Sequence, residues 1–136
     1  MSTLLPDLLD TLIPGDETFP APSKVGLAEK LLAHERFGPT MSQFCCRLPA
    51  NFSDIDAAGR VALLTRMEEE HPEAFGAFLV GVYSLYYTDT EVLAGIAKIS
   101  GYEARPPQPL GYELEPFDTA MVAVPAARPA HYRTTS

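Results

Sequence analysis

Two adjacent cysteines, three histidines and a run of tyrosines are the residues of this chain best equipped for chemistry. Cys45 and Cys46 are sequence neighbours, and adjacent residues rarely meet disulfide geometry, so they read as two small thiols rather than a bridge. A metal or redox pair is the sharper alternative. No Cys-x-x-Cys spacing supports it, and His34, His71 and His131 all lie away from ligand spacing to the pair. His34 stands beside Glu35 and His71 precedes Pro72, places typical of surface histidines rather than general bases. The sequence has no Gly-x-Ser-x-Gly, His-Glu-x-x-His, Gly-x-Gly-x-x-Gly or phosphate-loop pattern. Tyr83, Tyr86 and Tyr87 crowd the end of one apolar segment. They serve either as core rings with wet hydroxyls or as interface anchors, since tyrosine offers a large rigid surface at low entropic cost. Catalysis by this chain alone is not expected.

The elements that must position these groups read as helices. Residues 3–13 place Leu4, Leu8, Leu9, Leu12 and Ile13 on one face, with Thr3 as cap and Pro14-Gly15 as stop. Ser23 is expected to cap a second helix over 24–37, with Val25, Ala28, Leu31 and Leu32 inward and Gly38-Pro39 closing it. Residues 38–52 look irregular, anchored by Phe44, Leu48 and Phe52. Ser53 then caps a helix with Asp54 and Asp56 in its first turn, Ala57, Val61, Leu64 and Met67 inward, and Glu68-Glu69-Glu70 on a solvated face. Pro72 opens the next helix, which carries no charge from Ala74 to Thr88. An all-round apolar helix too short to span a membrane is expected at the centre of a bundle, with Gly76 and Gly81 admitting close neighbours. Thr88 or Thr90 caps a last helix with Val92, Leu93, Ile96 and Ile99 inward, ended by Gly101. The fold class is all-α: a bundle of about five helices over 1–101, followed by an extended proline-rich strap over 102–136.

The strap begins "GYEARPPQPLGYELEPFD", in which Tyr102, Leu110, Tyr112, Leu114 and Phe117 recur among prolines. A linker has no use for those side chains, and prolines bias the segment to polyproline II. Burying the five is worth roughly 8–15 kcal/mol. Ordering the segment costs about as much, at ~1–2 kcal/mol per residue. Docking on its own bundle is therefore marginal, and a second surface would tip the balance. The expected interface residues are Tyr83, Tyr86, Tyr87, Tyr102, Arg105, Pro106, Pro107, Leu110, Tyr112 and Phe117. Asp118 is a plausible cap for a short turn before Pro125.

Composition bounds the partners. The 136 residues carry a formal net charge of -8, which disfavours nucleic acid and anionic membrane surfaces. The charge is uneven: Asp7, Asp10, Asp16 and Glu17 lead the chain, whereas Arg128, His131 and Arg133 close it. No secretory signal or twin-arginine motif is visible, so a cytoplasmic location is expected, and a periplasmic one only if a partner carries the chain or a signal has been removed.

Two blocks together carry a family resemblance. "LLDTLIPGDETFPAPSKVGL" (residues 8–27) and "YYTDTEVLAGI" with the following "GY" and "PPQPLGY" (residues 86–112) resemble the gluconate 2-dehydrogenase subunit 3 family. Members of that family are small partners of FAD-dependent sugar and polyol dehydrogenases of the glucose–methanol–choline class. The resemblance implies a non-catalytic subunit that stabilises, matures or escorts a large flavoprotein subunit, with the FAD and catalytic residues in that subunit and none carried over here. Many members bear a twin-arginine export signal, which this sequence lacks. The alternatives are a free-standing helical binding module with a proline-rich tail, and a small thiol or metal enzyme using Cys45 and Cys46.

Overall fold

Leucine repeats, two proline-led helix starts and a left-handed glycine stop set the path of the chain. A computed structural model describes residues 4–105, 111 and 113–129. Seven α-helices and three short 3-10 turns are found among the described residues, with no strand there, so the protein is all-α. The helices are α1 (Leu4–Leu12), α2 (Leu27–Ala33), α3 (Gly38–Cys45), α4 (Ala57–Glu70), α5 (Pro72–Tyr86), α6 (Thr90–Ser100) and α7 (Ala123–Ala126). Thr3, Pro106, Pro107, Leu110, Tyr112, His131 and Arg133 lie outside the described residues.

A single core joins α1 to α6. Leu5, Leu8 and Leu9 of α1 meet Leu27 and Leu31 of α2, Met41 and Phe44 of α3, and Phe75, Phe78 and Val82 of α5. Phe44 stacks on Phe78 at 4.3 Å between centroids and meets Phe75 edge-on at 5.7 Å. Such offset and edge contacts add to the burial of the rings themselves. Phe44, Leu48 and Phe52 are core anchors, as the sequence suggests.

Several local expectations are corrected. The helix expected over 24–37 is a 3-10 turn (Pro22–Val25) followed by α2, because Gly26 stands at φ 62 between them. Leu32 is exposed rather than inward. Residues 38–45 are helical rather than irregular, and the irregular part is confined to the turns over 46–51: Gly38-Pro39 opens α3 rather than closing α2, with proline in the first turn where no donor is needed. Asp56, not Ser53, caps α4, accepting from the Gly59 amide at 3.0 Å. Ala57 and Val61 on α4 face solvent, leaving Leu64 and Met67 buried. Asp89 caps α6 in place of Thr88 or Thr90, accepting from the Glu91 amide at 2.9 Å. Ile99 is exposed. Gly101 ends α6 at φ 75, as expected of a left-handed helix stop.

The largest correction concerns α5. Its charge-free sequence suggested a helix buried on all sides, yet only Phe75, Phe78, Gly81, Val82 and Tyr86 are buried. Ala77, Val80, Tyr83 and Tyr87 face outward on the opposite side, and Gly76 there has no neighbour within reach of an added Cβ. Gly81 does admit a neighbour: a Cβ there would lie 2.8 Å from Met41 Cε and 3.3 Å from the Phe37 ring.

Candidate functional site

The loop after α1 builds one wall of a groove. Pro14-Gly15 ends the helix, and Gly15 takes φ 75, where a Cβ would lie 2.5 Å from the Ala21 amide nitrogen. Asp16 then closes a tight turn: its Oδ1 accepts from the Thr18 and Phe19 amides, each at 2.7 Å, while its own amide donates to the Phe19 carbonyl at 2.8 Å. The Phe19 and Thr18 N–H groups hold the Asp16 carboxyl below the usual carboxylate range. Gly95 of α6 lets the loop sit close, since a Cβ there would lie 2.6 Å from the Thr18 carbonyl oxygen.

Tyrosines of α5 and the residue after it build the other wall. Tyr86 is only 1% exposed, and its hydroxyl donates to the Pro20 carbonyl at 2.8 Å. Burial first, then the neighbouring Tyr87, Asp16 and Asp89, push its phenol upward, so it stays protonated at neutral pH and is no base. Tyr87 meets Tyr86 edge-on at 5.2 Å and lies 5.9 Å from Tyr83. Together with Leu12, Ile13, Pro14, Gly15, Asp16 and Phe19, these rings enclose a groove of about 340 Å³. The exposed α5 face runs into it, at 55% exposure for Val80, 41% for Tyr83 and 50% for Tyr87.

Of the interface candidates, Tyr83, Tyr86 and Tyr87 are thus brought together, but in unequal roles. Tyr86 belongs to the core and pins the loop; Tyr83 and Tyr87 present surface. Tyr102, Arg105 and Phe117 do not line the groove. Tyr102 is exposed. Arg105 bonds Glu103 and donates to the Gly111 carbonyl at 2.6 Å, clipping the start of the strap to a later point in it. Residues 113–129 are exposed throughout, so none of Leu114, Phe117, Met121 and Val124 is buried on the bundle. The part of the strap described here therefore does not pack as a buried strap.

A second groove of about 740 Å³ lies between Leu4, Leu5, Leu32, Leu48, Cys45 and Cys46, with Asp54 at its edge. The helical pattern places Leu32 in the core, whereas its exposed side chain lines this groove, which no window of sequence reveals. Both cysteines are free thiols. Burial, and then the neighbouring Cys46, raise the Cys45 thiol, which favours the less reactive protonated form. His34 stacks on Phe37 at 4.5 Å, and its Nδ1 accepts from the Arg36 amide at 3.2 Å. His71 is exposed at the junction of α4 and α5. No group of three or more metal-ligating side chains, and no helix long and apolar enough to cross a membrane, occurs among the described residues. What the tyrosine groove offers chemically is a rigid aromatic floor with one carboxylate beside it, suited to an apolar side chain flanked by a hydrogen-bond donor.

No protein-family profile, curated protein or solved structure matches the chain.

Proposed function

We propose that this chain is a non-catalytic accessory subunit of a large FAD-dependent sugar or polyol oxidoreductase, docking through the outer face of α5 and the tyrosine groove. The observation that carries the reading is the charge-free exposed face of Ala77, Val80, Tyr83 and Tyr87, continuous with that groove. Rigid tyrosines around a preformed depression are what interface hot spots are made of. The two sequence blocks with the family resemblance also meet here, through the bond from Tyr86 to Pro20. The FAD and the reacting groups belong to the larger subunit, and this chain supplies burial.

The test is co-expression with a glucose–methanol–choline-class flavoprotein of the same genome. The intact chain should co-purify with it and raise its soluble, FAD-loaded yield. Val80→Asp with Tyr87→Glu, both on the exposed face, should abolish co-purification while leaving the helical circular dichroism intact. A flavoprotein equally soluble and active without this chain would refute the reading. The exposure of residues 113–129 favours a second reading, a free-standing binding module whose tail serves adaptor domains. In that case the tail stays protease-sensitive beside the flavoprotein.

A further inference from the structure

The tyrosine groove has used its donors on itself and kept a charged acceptor. The Asp16 amide donates to the Phe19 carbonyl, the Thr18 and Phe19 amides donate to Asp16 Oδ1, and the Tyr86 hydroxyl donates to the Pro20 carbonyl. Asp16 Oδ2 takes no hydrogen bond, and Asp16 joins no ion pair, among the described residues. Asp16 is exposed and is the charged residue among those lining the groove. Neither wall brings a cation to it. Residues 1–23 contain no Lys or Arg, and α5 carries no charge from Ala74 to its end at Tyr86. Beside this carboxylate, Tyr83 and Tyr87 expose ring surface. Their centroids lie 5.9 Å apart. A planar ion needs ~3.5 Å to each ring, so it fits over their open faces and not between them.

We propose that the groove is a receptor for one arginine side chain of the large subunit: its guanidinium donates to Asp16 Oδ2 and lies on the faces of Tyr83 and Tyr87, with its methylene stem along Leu12 and Ile13. This rests on the accessory-subunit reading above and names the residue the partner brings. Charge and hydrogen bonding select it together. A guanidinium has donors and no acceptor, which matches an unpaired carboxylate in a site whose amide donors are taken. Its flat, weakly hydrated ion is also drawn to tyrosine faces, whereas the compact ammonium of lysine holds its water and stacks poorly. An acidic side chain would meet Asp16 with like charge. This chain does not fill the site itself: no arginine lines the groove, and Arg105 is held by Glu103 and the Gly111 carbonyl. A second copy would bring a net charge of -8 against a groove that is already acidic.

The experiment has two arms. In the first, N-acetylarginine amide is titrated into the full-length chain and followed by nuclear magnetic resonance. The Asp16–Phe19 amides and the Tyr83 and Tyr87 rings should shift saturably, at least about threefold more tightly than with N-acetyllysine amide, and not at all with N-acetylnorleucine amide. In the second, affinity for the co-expressed flavoprotein is measured. Asp16→Asn keeps the Oδ1 acceptor of the turn and removes the charge, so it should leave circular dichroism unchanged, weaken both kinds of binding by about tenfold and flatten the salt dependence of association. Tyr87→Leu should cost about three- to tenfold, and Tyr87→Phe, which keeps the ring face, should stay within about twofold. If the intact chain fails to bind the flavoprotein, both proposals fall. If it binds and Asp16→Asn binds equally well, the arginine receptor alone falls. Equal shifts with the norleucine amide would overturn it in favour of a merely apolar groove, and self-association of the free chain that Asp16→Asn abolishes would overturn it in favour of a second copy.

Discussion

Two glycines in comparable helical positions should respond to alanine with opposite signs. Alanine at an interior helix position is worth about 1 kcal/mol over glycine, whichever helix carries it. At Gly76 of α5 nothing lies within 4 Å of the added Cβ, so Gly76→Ala should be stabilised by about 0.5–1 kcal/mol. At Gly95 of α6 the same Cβ lies 2.6 Å from the Thr18 carbonyl oxygen and 3.1 Å from the Phe19 ring. An unforced C···O contact is ~3.3–3.6 Å, so the loop must retreat by about 0.7 Å, and its backbone cannot rotate aside as a flexible side chain can. Overpacking of that kind costs about 2–3 kcal/mol, leaving Gly95→Ala destabilised by about 1–2 kcal/mol. At about 4 °C per kcal/mol, melting should rise by 2–4 °C in Gly76→Ala and fall by about 4–8 °C in Gly95→Ala. Thermal and guanidinium melts followed by far-ultraviolet circular dichroism check the sign. The chain has no tryptophan, so the near-ultraviolet signal reports chiefly its tyrosines and should change only in Gly95→Ala, where Phe19 shifts against the groove. A Gly95→Ala protein as stable as the unaltered chain would refute the close seating of the loop on α6.

The remaining expectations concern single groups. Tyr86→Phe keeps the ring and removes the bond to Pro20, so a loss of about 1 kcal/mol in denaturant stability is expected, against 3–5 kcal/mol for Tyr86→Ala. Asp89 caps α6 and accepts from Lys30 at 2.7 Å; burial works to raise its carboxyl, but the Lys30 bond and the Glu91 and Val92 amides prevail and hold it low. A depressed native carboxyl stabilises above the unfolded value, so its contribution is present at neutral pH and disappears as pH falls below about 4. With Lys30 half exposed, the pair is worth only about 0.5–1 kcal/mol, and the gap between the unaltered chain and Asp89→Asn in pH-dependent melts should close over that acidic window. Thiol labelling at pH 8 should be biphasic, the exposed Cys46 reacting first and the half-buried Cys45 more slowly, with a single slow phase in Cys46→Ser.

Legibility in the sequence tracked how local the deciding contact was. Gly101 as a helix stop and Asp118 as a cap need only their own neighbours, and both were readable. The caps of α4 and α6 were displaced to Asp56 and Asp89 because several capping residues cluster at each start and only the loop's approach chooses among them. Gly38-Pro39 was misread for a different reason. Proline followed by glycine stops α1, whereas glycine followed by proline places the ring in the first turn of α3. A Cβ at Gly38 would also lie 2.5 Å from the Leu32 carbonyl, a tertiary fact no window of sequence contains. Of the candidate site, the tyrosine cluster was legible; its split into a buried Tyr86 and exposed Tyr83 and Tyr87 depends on which side of α5 meets α3.

That split changes what the absence of charge on α5 means. A helix centred in a bundle needs no charges because every side is covered. Here the chain covers one side, with Phe78 and Val82 buried, and leaves Val80, Tyr83 and Tyr87 in water. Solvent contact alone would favour lysine or glutamate at those positions, which cost nothing to fold and protect against association. Their replacement by apolar and aromatic residues, in a protein otherwise as acidic as this one, is what the proposed docking role accounts for. The outward tail adds Phe117, Met121 and Val124 to the same account, but with a different physical character. The tyrosine face is held by α5 and the Asp16 turn, so a partner meeting it orders little. On the proposed reading, the exposed residues 113–129 would add contact area beyond the tyrosine face, at the cost of fixing their side chains on binding. On the accessory-subunit reading, the tyrosine face would be the fixed patch that a larger subunit meets first.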